Sequence, residues 1–417
     1  MLSVFASGRH RPAPGGTELI AMVGALMGLN ALAIDIMLPA LSEIGAALDR
    51  PGNAPQLVVT VYVFGFGLAQ LVYGPLADAL GRRTVLLWAL AAFVAASVAC
   101  LFATDFTWLL IARGLQGVAA AATRVVAVAA VRDLVSGRRM AQVMSFAMMV
   151  FMAAPIFAPA LGQLILFAGD WRWIFAALMA GGAILGIWMH MRLPETLAEE
   201  NRIPLNFGAA GRNYWLAAKN RVSLGYMIAS AFIFGALFAF IATSEQVIAQ
   251  LYGLEHWFAL AFAGVAVGLA LANVINARIV GRLGMRRVSH GALIAFLVIS
   301  LAHTLISLAG LPPFWLFYIL LGSAMMMFAL MGANFSALMM EPAGERAGTA
   351  AALYGSVTSV SGAVLGSVIG QAYDGSVTPI LAGMALLGVG ALAAVWITEK
   401  GRLLGAGEVE AEAAEPR

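Results

Sequence analysis

The chain has 417 residues, of which 62% are hydrophobic and only 11% charged, with 24 lysines and arginines against 21 acids and a formal charge of +3. A mean hydropathy of +0.91 is more than a water-soluble core needs, so the chain reads as an integral membrane protein, and nucleic acid is not an implied partner. One cysteine, Cys100, allows no internal disulfide. The five histidines (His10, His190, His256, His290, His303) lack ligand spacing, so neither a metal centre nor a cofactor is expected.

With roughly 20 apolar residues needed per bilayer crossing, helices are predicted near 18–41, 56–77, 84–103, 107–130, 141–167 and 173–192. A second set is predicted near 222–246, 257–279, 288–308, 314–339, 347–371 and 378–397. The first segment is too long for a signal-peptide core and lacks a clean cleavage site, so it reads as a retained anchor. Inside it lies Asp35, between Leu19-Ile20-Ala21-Met22-Val23 and Ile36-Met37-Leu38-Pro39, with no countercharge nearby in sequence. Burying a carboxylate there is costly, which marks Asp35 as a functional candidate against the plainer alternative of a packing contact.

Arginine and lysine cluster on alternate loops. With the N-terminus inside, Arg9, Arg11, Arg82, Arg83, Arg132, Arg138, Arg139, Arg286, Arg287 and most others fall on one side, and the opposite side holds only Arg50 and Arg172. The bias predicts cytoplasmic termini and an even number of crossings.

Segment 193–221 breaks the apolar rhythm with Pro194, Glu195, Glu199, Glu200, Arg202, Pro204, Arg212 and Lys219. It divides the chain into a cytoplasmic segment 1–17, a six-helix bundle 18–192, a cytoplasmic linker 193–221, a second six-helix bundle 222–397 and a cytoplasmic tail 398–417. The halves echo each other, since Leu80-Gly81-Arg82-Arg83 recurs as Leu283-Gly284-Met285-Arg286-Arg287 at an offset of about 203 residues. Duplicated halves with a site between them are a transporter architecture.

Gly74-Pro75-Leu76-Ala77-Asp78-Ala79-Leu80-Gly81-Arg82-Arg83 resembles the loop motif of the major facilitator superfamily between spans two and three. Arg113-Gly114-Leu115-Gln116-Gly117 resembles its fourth-span Arg-x-x-Gln-Gly element, and Asp35 with Leu38-Pro39 resembles the first-span signature of twelve-helix drug:proton antiporters. Ala154-Pro155-Ile156-Phe157-Ala158-Pro159-Ala160-Leu161-Gly162-Gln163 is similar to the fifth-span antiporter motif of Bcr/CflA-type multidrug exporters. Trp171-Arg172-Trp173-Ile174-Phe175 and Leu193-Pro194-Glu195-Thr196 complete the resemblance around span six.

The resemblance implies an all-α fold of twelve transmembrane helices in two pseudo-symmetric six-helix bundles, in a bacterial inner membrane, functional as a monomer. It implies proton coupling by Asp35 and Arg113 and a conformational loop of Gly74, Asp78, Gly81, Arg82 and Arg83. Three departures stand out. Ala154 and Gln163 replace common glycines, Met27 stands where some relatives carry another carboxylate, and Gly281 stands where Asp78 would align. The last implies that only the first loop makes an acid-dependent latch.

Helix rise places Asp35 about five residues, roughly 7 Å, beyond the midpoint of its span, and Arg113 at similar depth in an opposed span. Their contact is plausible, and Asn30 and Gln116 would extend the polar strip. Arg124, eleven residues after Arg113, shares its face roughly 16 Å closer to the cytoplasm, in a wet cavity or snorkelling to the interface. Glu245 reads as interfacial, near the outer end of its span, with contact to substrate or protons as the alternative. Asn273, Asn276, Asn334 and His303 read as structural. Met148, Phe151, Phe234 and Phe238 are candidates for an adaptable apolar cavity, although any single Met or Phe in a membrane helix more commonly meets lipid or a neighbour.

The expected function is therefore a secondary transporter that exports small amphipathic or lipophilic compounds in exchange for protons by alternating access. A facilitator or proton-coupled carrier of one metabolite is the alternative on the same scaffold. A membrane-embedded enzyme or receptor is a distant third, because no cluster of His, Asp or Ser marks a membrane face.

Overall fold

The structure, a computed structural model, describes residues 14–404, so Arg9, His10, Arg11 and Arg417 lie outside the described residues. Regular structure among the described residues is entirely helical, and twelve stretches are long and apolar enough to cross a membrane. The first half comprises α1 (Gly16–Asp35) with its continuation α2 (Leu41–Ala47), α3 (Leu57–Leu80), α4 (Arg82–Leu101), α5 (Phe106–Leu134), α6 (Gly137–Ala168) and α7 (Arg172–Arg192). A linker helix, α8 (Phe207–Ala218), precedes α9 (Arg221–Glu245), α10 (Phe258–Leu283), α11 (Met285–Leu308), α12 (Phe314–Met340), α13 (Ala347–Gln371) and α14 (Thr378–Thr398).

Local chemistry sets several boundaries. Asp105 caps α5 by accepting from the Trp108 N–H at 2.8 Å, and Asn220 caps α9 by accepting from the Val222 N–H at 2.8 Å. The linker, legible as polar chain, contains a helix that its sequence does not announce. Asn206 caps it through the Ala209 N–H at 2.9 Å.

The first span is not the continuous helix expected over 18–41. It stops at Asp35, passes a short turn at Leu38–Ala40 and resumes as α2. Pro39 is the cause, because its ring in a continuing helix would clash with the carbonyl four residues earlier, that of Asp35. The break is seated against α6. A methyl added at Gly162 would lie 2.2 Å from the Ile36 carbonyl oxygen, so Gly162 supplies the close approach left in doubt by Ala154 and Gln163.

The two halves repeat the same packing. In the first, α1 packs on α6, α3 on α5 and α4 on α7, and the equivalent pairs in the second are α9 with α13, α10 with α12 and α11 with α14. The halves meet through the symmetry-related pairs α3 with α13 and α6 with α10. Gly81 and Gly284 occupy the same junction in each half with φ of 96° and 81°, a conformation that turns the chain where a side chain would be strained.

Candidate functional site

Arg113 is completely buried on α5. Its Nε donates to the Val58 carbonyl at 3.2 Å, Nη2 to the Ala33 carbonyl at 3.2 Å and Nη1 to Gln116 Oε1 at 2.6 Å, while its guanidinium carbon sits 4.4 Å from the centre of the Tyr62 ring. Gln116 in turn donates to Ser97 Oγ at 2.7 Å, and the Tyr62 hydroxyl donates to Asn30 Oδ1 at 3.0 Å. One network thus joins α1, α3, α4 and α5 in the first half, where a buried arginine needs acceptors on every side. Gly117 permits it, because an added Cβ would lie 2.0 Å from the Tyr62 carbonyl oxygen; α5 touches α3 backbone to backbone there. Tyr62 and Ser97 were missed in the sequence. Isolated hydroxyls in apolar helices were the only signal.

Asp35 is 5% exposed at the C-terminal end of α1. Among the described residues its carboxylate forms no ion pair or hydrogen bond. Arg113 reaches the carbonyl of Ala33, two residues before it, but is not bonded to Asp35 itself. The arginine's donors are held by other acceptors.

A cavity of about 500 Å³ opens at the arginine-rich end. Its walls come from α3 (Gln70, Gly74, Pro75, Asp78), α5 (Arg124, Val125, Val128, Arg132), α13 (Thr349, Ala351, Ala352) and the linker (Asn206, Asn213, Tyr214). Both halves and the linker therefore contribute. At its inner limit Gln70 Nε2 donates across the halves to Ser359 Oγ at 3.3 Å. Tyr214 docks the linker helix on α3 by donating to the Leu71 carbonyl at 2.9 Å, and burial followed by the charge of Asp78 pushes its phenol pKa up.

Of the substrate-cavity candidates, Arg124 lines this space and the others do not. Asn30 and Gln116 belong to the buried network. Phe234 packs edge-on to Phe328 with ring centres 5.2 Å apart, and Phe238 fills the groove of Gly362 and Gly366. Phe151 is half-buried against the first-half core, and Met148 is exposed on α6. Their composition was readable but their direction was not, because lipid-facing and core-facing sides of a membrane helix are both apolar.

Glu245, expected near the outer end of its span, closes α9 and is buried by neighbouring side chains. It is 6% exposed, accepts from Ser42 Oγ and accepts from Gln250 Nε2 at 3.1 Å, and so lies in a seam that closes the end opposite the cavity. In the same seam Gln56 donates to Gln246, Gln246 donates to the Gly52 carbonyl at 2.9 Å, and Asn53 donates to the Tyr373 carbonyl at 2.8 Å. Gln163 adds a bond to the Glu255 carbonyl at 2.8 Å. Each of these last four joins the first half to the second, as does the bond from Ser42 to Glu245. Beyond Glu245, α9 widens into a π-helical turn at Gln246–Leu251, a local irregularity that presents Gln246 and Gln250 to the seam.

The loop motif forms a cluster inside the first half. Arg82 pairs with Asp78 and, at 3.2 Å, with Asp133, while Glu195 Oε1 accepts from the Arg82 N–H at 2.8 Å at the start of α4. Arg83 donates to the His190 carbonyl at 2.9 Å. Gly81 leaves room for the Glu195 carboxylate, which an added Cβ would approach to 2.4 Å. Gly74 lines the cavity.

The expectation that only this copy engages acids is corrected by the second half. Arg286 pairs with Glu341 at 3.2 Å and Glu399 at 3.1 Å, and Glu399 also accepts from the Tyr226 hydroxyl at 2.6 Å. Acids from the ends of α12 and α14 replace the one absent at Gly281.

The profile of the Major Facilitator Superfamily matches residues 23–367. The bicyclomycin resistance protein homolog of Haemophilus influenzae is 31% identical over 388 residues, covering 91% of this chain and 96% of its own length. A chloramphenicol resistance protein of Pseudomonas aeruginosa is 30% identical over 302 residues, covering 69% and 70% respectively. The crystal structure of a point mutant of the nucleoside transporter NupG superposes with a TM-score of 0.69 at 15% identity, covering 92% of this chain and 99% of that one.

Proposed function

The chain belongs to the major facilitator superfamily, and from that premise we propose that it exports small amphipathic or lipophilic compounds, drugs among them, in exchange for protons. Its family and twelve-helix fold are those of a transporter, not an enzyme. The observation that carries the reading is the cavity of about 500 Å³ between the halves, open at one end and closed at the other by bonds that cross the halves. That volume suits a drug-sized molecule. The names of the resistance-protein relatives support drug cargo.

In this reading the arginine-rich end faces the cytoplasm of a bacterial inner membrane, both termini lie inside, and the halves 18–192 and 222–397 rock about α3/α13 and α6/α10 in a single functional monomer. Cargo enters the cavity, the opposite seam opens as the arginine-rich end closes, and cargo leaves. Asp35 takes up and releases the proton. Arg113, locked to carbonyls on α1 and α3, transmits a change at the end of α1 to the α3/α5 pair. The motif cluster at Asp78 and Arg82 holds the first half rigid as it rocks.

Reconstituted vesicles with an imposed pH gradient test the proposal. Several unrelated amphipathic compounds should be driven against their gradients, with countermovement of protons, and a protonophore should abolish the drive. Movement confined to one hydrophilic metabolite, or uphill movement that persists without the gradient, would overturn it.

A further inference from the structure

Resting on that export reading, we propose that the cavity contains an anion-receiving subsite formed by Arg124 and Arg132, so that its cargo includes amphipathic molecules bearing one carboxylate. The two arginines stand eight residues apart on α5 and both line the cavity. Arg124 lies ten residues before the end of α5, roughly 15 Å into the span, where a guanidinium requires an acceptor.

The protein supplies acceptors to its other cavity-side arginine but not to these. Arg82 is neutralised by Asp78 and Asp133. Among the described residues no carboxylate pairs with Arg124 or Arg132, although both are exposed to the cavity. The contrast with Arg113, on the same helix and fully bonded, shows that the fold can satisfy a buried arginine on α5 with its own acceptors. Val128, between the two arginines in sequence, and Ala351 and Pro75 in the same lining give the wall an apolar character that would hold a hydrocarbon or aromatic body. A guanidinium fork beside an apolar wall matches a carboxylate attached to such a body.

The test uses the full-length protein in phosphatidylcholine vesicles with dansyl-glycine and dansyl-glycinamide, a pair that differs only in the carboxylate. Wild type should show a KM for dansyl-glycine at least tenfold below that for the amide. Arg124→Gln should raise the KM for dansyl-glycine about tenfold or more and leave that for the amide within twofold. Arg124→Lys should retain most of the preference, and Arg132→Gln should lose less than Arg124→Gln because it stands nearer the mouth. Equal wild-type KM values, or an Arg124→Gln effect common to both probes, would overturn the subsite while leaving the export reading intact. Wild type that moves other amphipathic compounds but neither probe would overturn the subsite alone, and wild type that moves no amphipathic compound would overturn both. The wild-type comparison decides the matter even where a variant fails to fold.

Discussion

Gly117→Ala tests whether the contact of α5 with α3 is what holds Arg113 in place. The added methyl would lie 2.0 Å from the Tyr62 carbonyl oxygen, 2.8 Å from its carbonyl carbon and 3.0 Å from its Cα, all backbone atoms that cannot rotate away. A tolerable carbon to oxygen contact is about 3.3 Å, so α5 must retreat by roughly 1.3 Å. The Arg113 Nε bond to Val58, already 3.2 Å, would then be lost. Overpacking costs about 1–3 kcal/mol and the charge-assisted bond about 1.5–3 kcal/mol, offset by about 1 kcal/mol of helix propensity gained by alanine. The net loss of about 1.5–5 kcal/mol corresponds to a fall of roughly 2–6 °C in thermal unfolding of the purified protein, at the transition entropy of a chain this long. Gly114→Ala is the control on the same helix, since its methyl would meet nothing nearer than the Val61 carbonyl oxygen at 3.9 Å. It should leave the melting temperature unchanged or slightly higher. Equal melting temperatures for the two variants would refute the reasoning.

Three further outcomes are expected. Asp35→Asn should fold and bind cargo yet lose accumulation driven by a pH gradient; undiminished active transport by this variant would remove Asp35 from the coupling mechanism. Arg286→Gln should destabilise the protein about as much as Arg82→Gln, about 1–3 kcal/mol each, because both arginines serve two carboxylates, and Asp78→Asn should do less because Asp133 remains. Thermal unfolding of the three variants side by side gives the order. Gln246→Ala removes donors to Gly52 and Asn53 and the contact with Gln56, so spin labels across that seam should report a larger open population; an unchanged distance distribution would show that the seam does not set the equilibrium.

The fold was legible because membrane helices announce themselves by length, and the duplicated Gly-Arg motifs aligned the halves. The break after Asp35 was legible in principle, since Pro39 forbids the helix at that carbonyl, but the apolar run continues to residue 41 and hides it. Arg113, Gln116 and Asn30 could be named because polar side chains are rare in such helices. Their partners could not, because Tyr62 and Ser97 look ordinary and become significant only when Gly117 and Gly65 bring α3 and α5 together. The partners of Glu245 went unread for a related reason. Depth along a helix is readable from the sequence, but whether that depth meets lipid, water or the other half depends on helix rotation, which an apolar-all-round helix does not encode. The second-half arginine cluster escaped notice because its acids, Glu341 and Glu399, lie 55 and 113 residues from Arg286.

The two ends of the molecule are held by different chemistry, and that difference bears on how it moves. At the arginine-rich end the ion pairs of Arg82 and of Arg286 each lie within one half, so they stiffen the bodies without tying them together. At the opposite end the bonds cross between halves and are made mostly by amides and hydroxyls, with Glu245 the single carboxylate among them. A neutral hydrogen bond is worth about 0.5–1.5 kcal/mol net of water, so the seam as a whole contributes on the order of a few kcal/mol. Differences of that size keep a second conformation populated and accessible to bias by a ligand. Rigid halves joined by a weak polar seam suit the alternating access proposed above, because under that proposal a proton at the end of α1 and cargo in the cavity would each need to shift only that small difference.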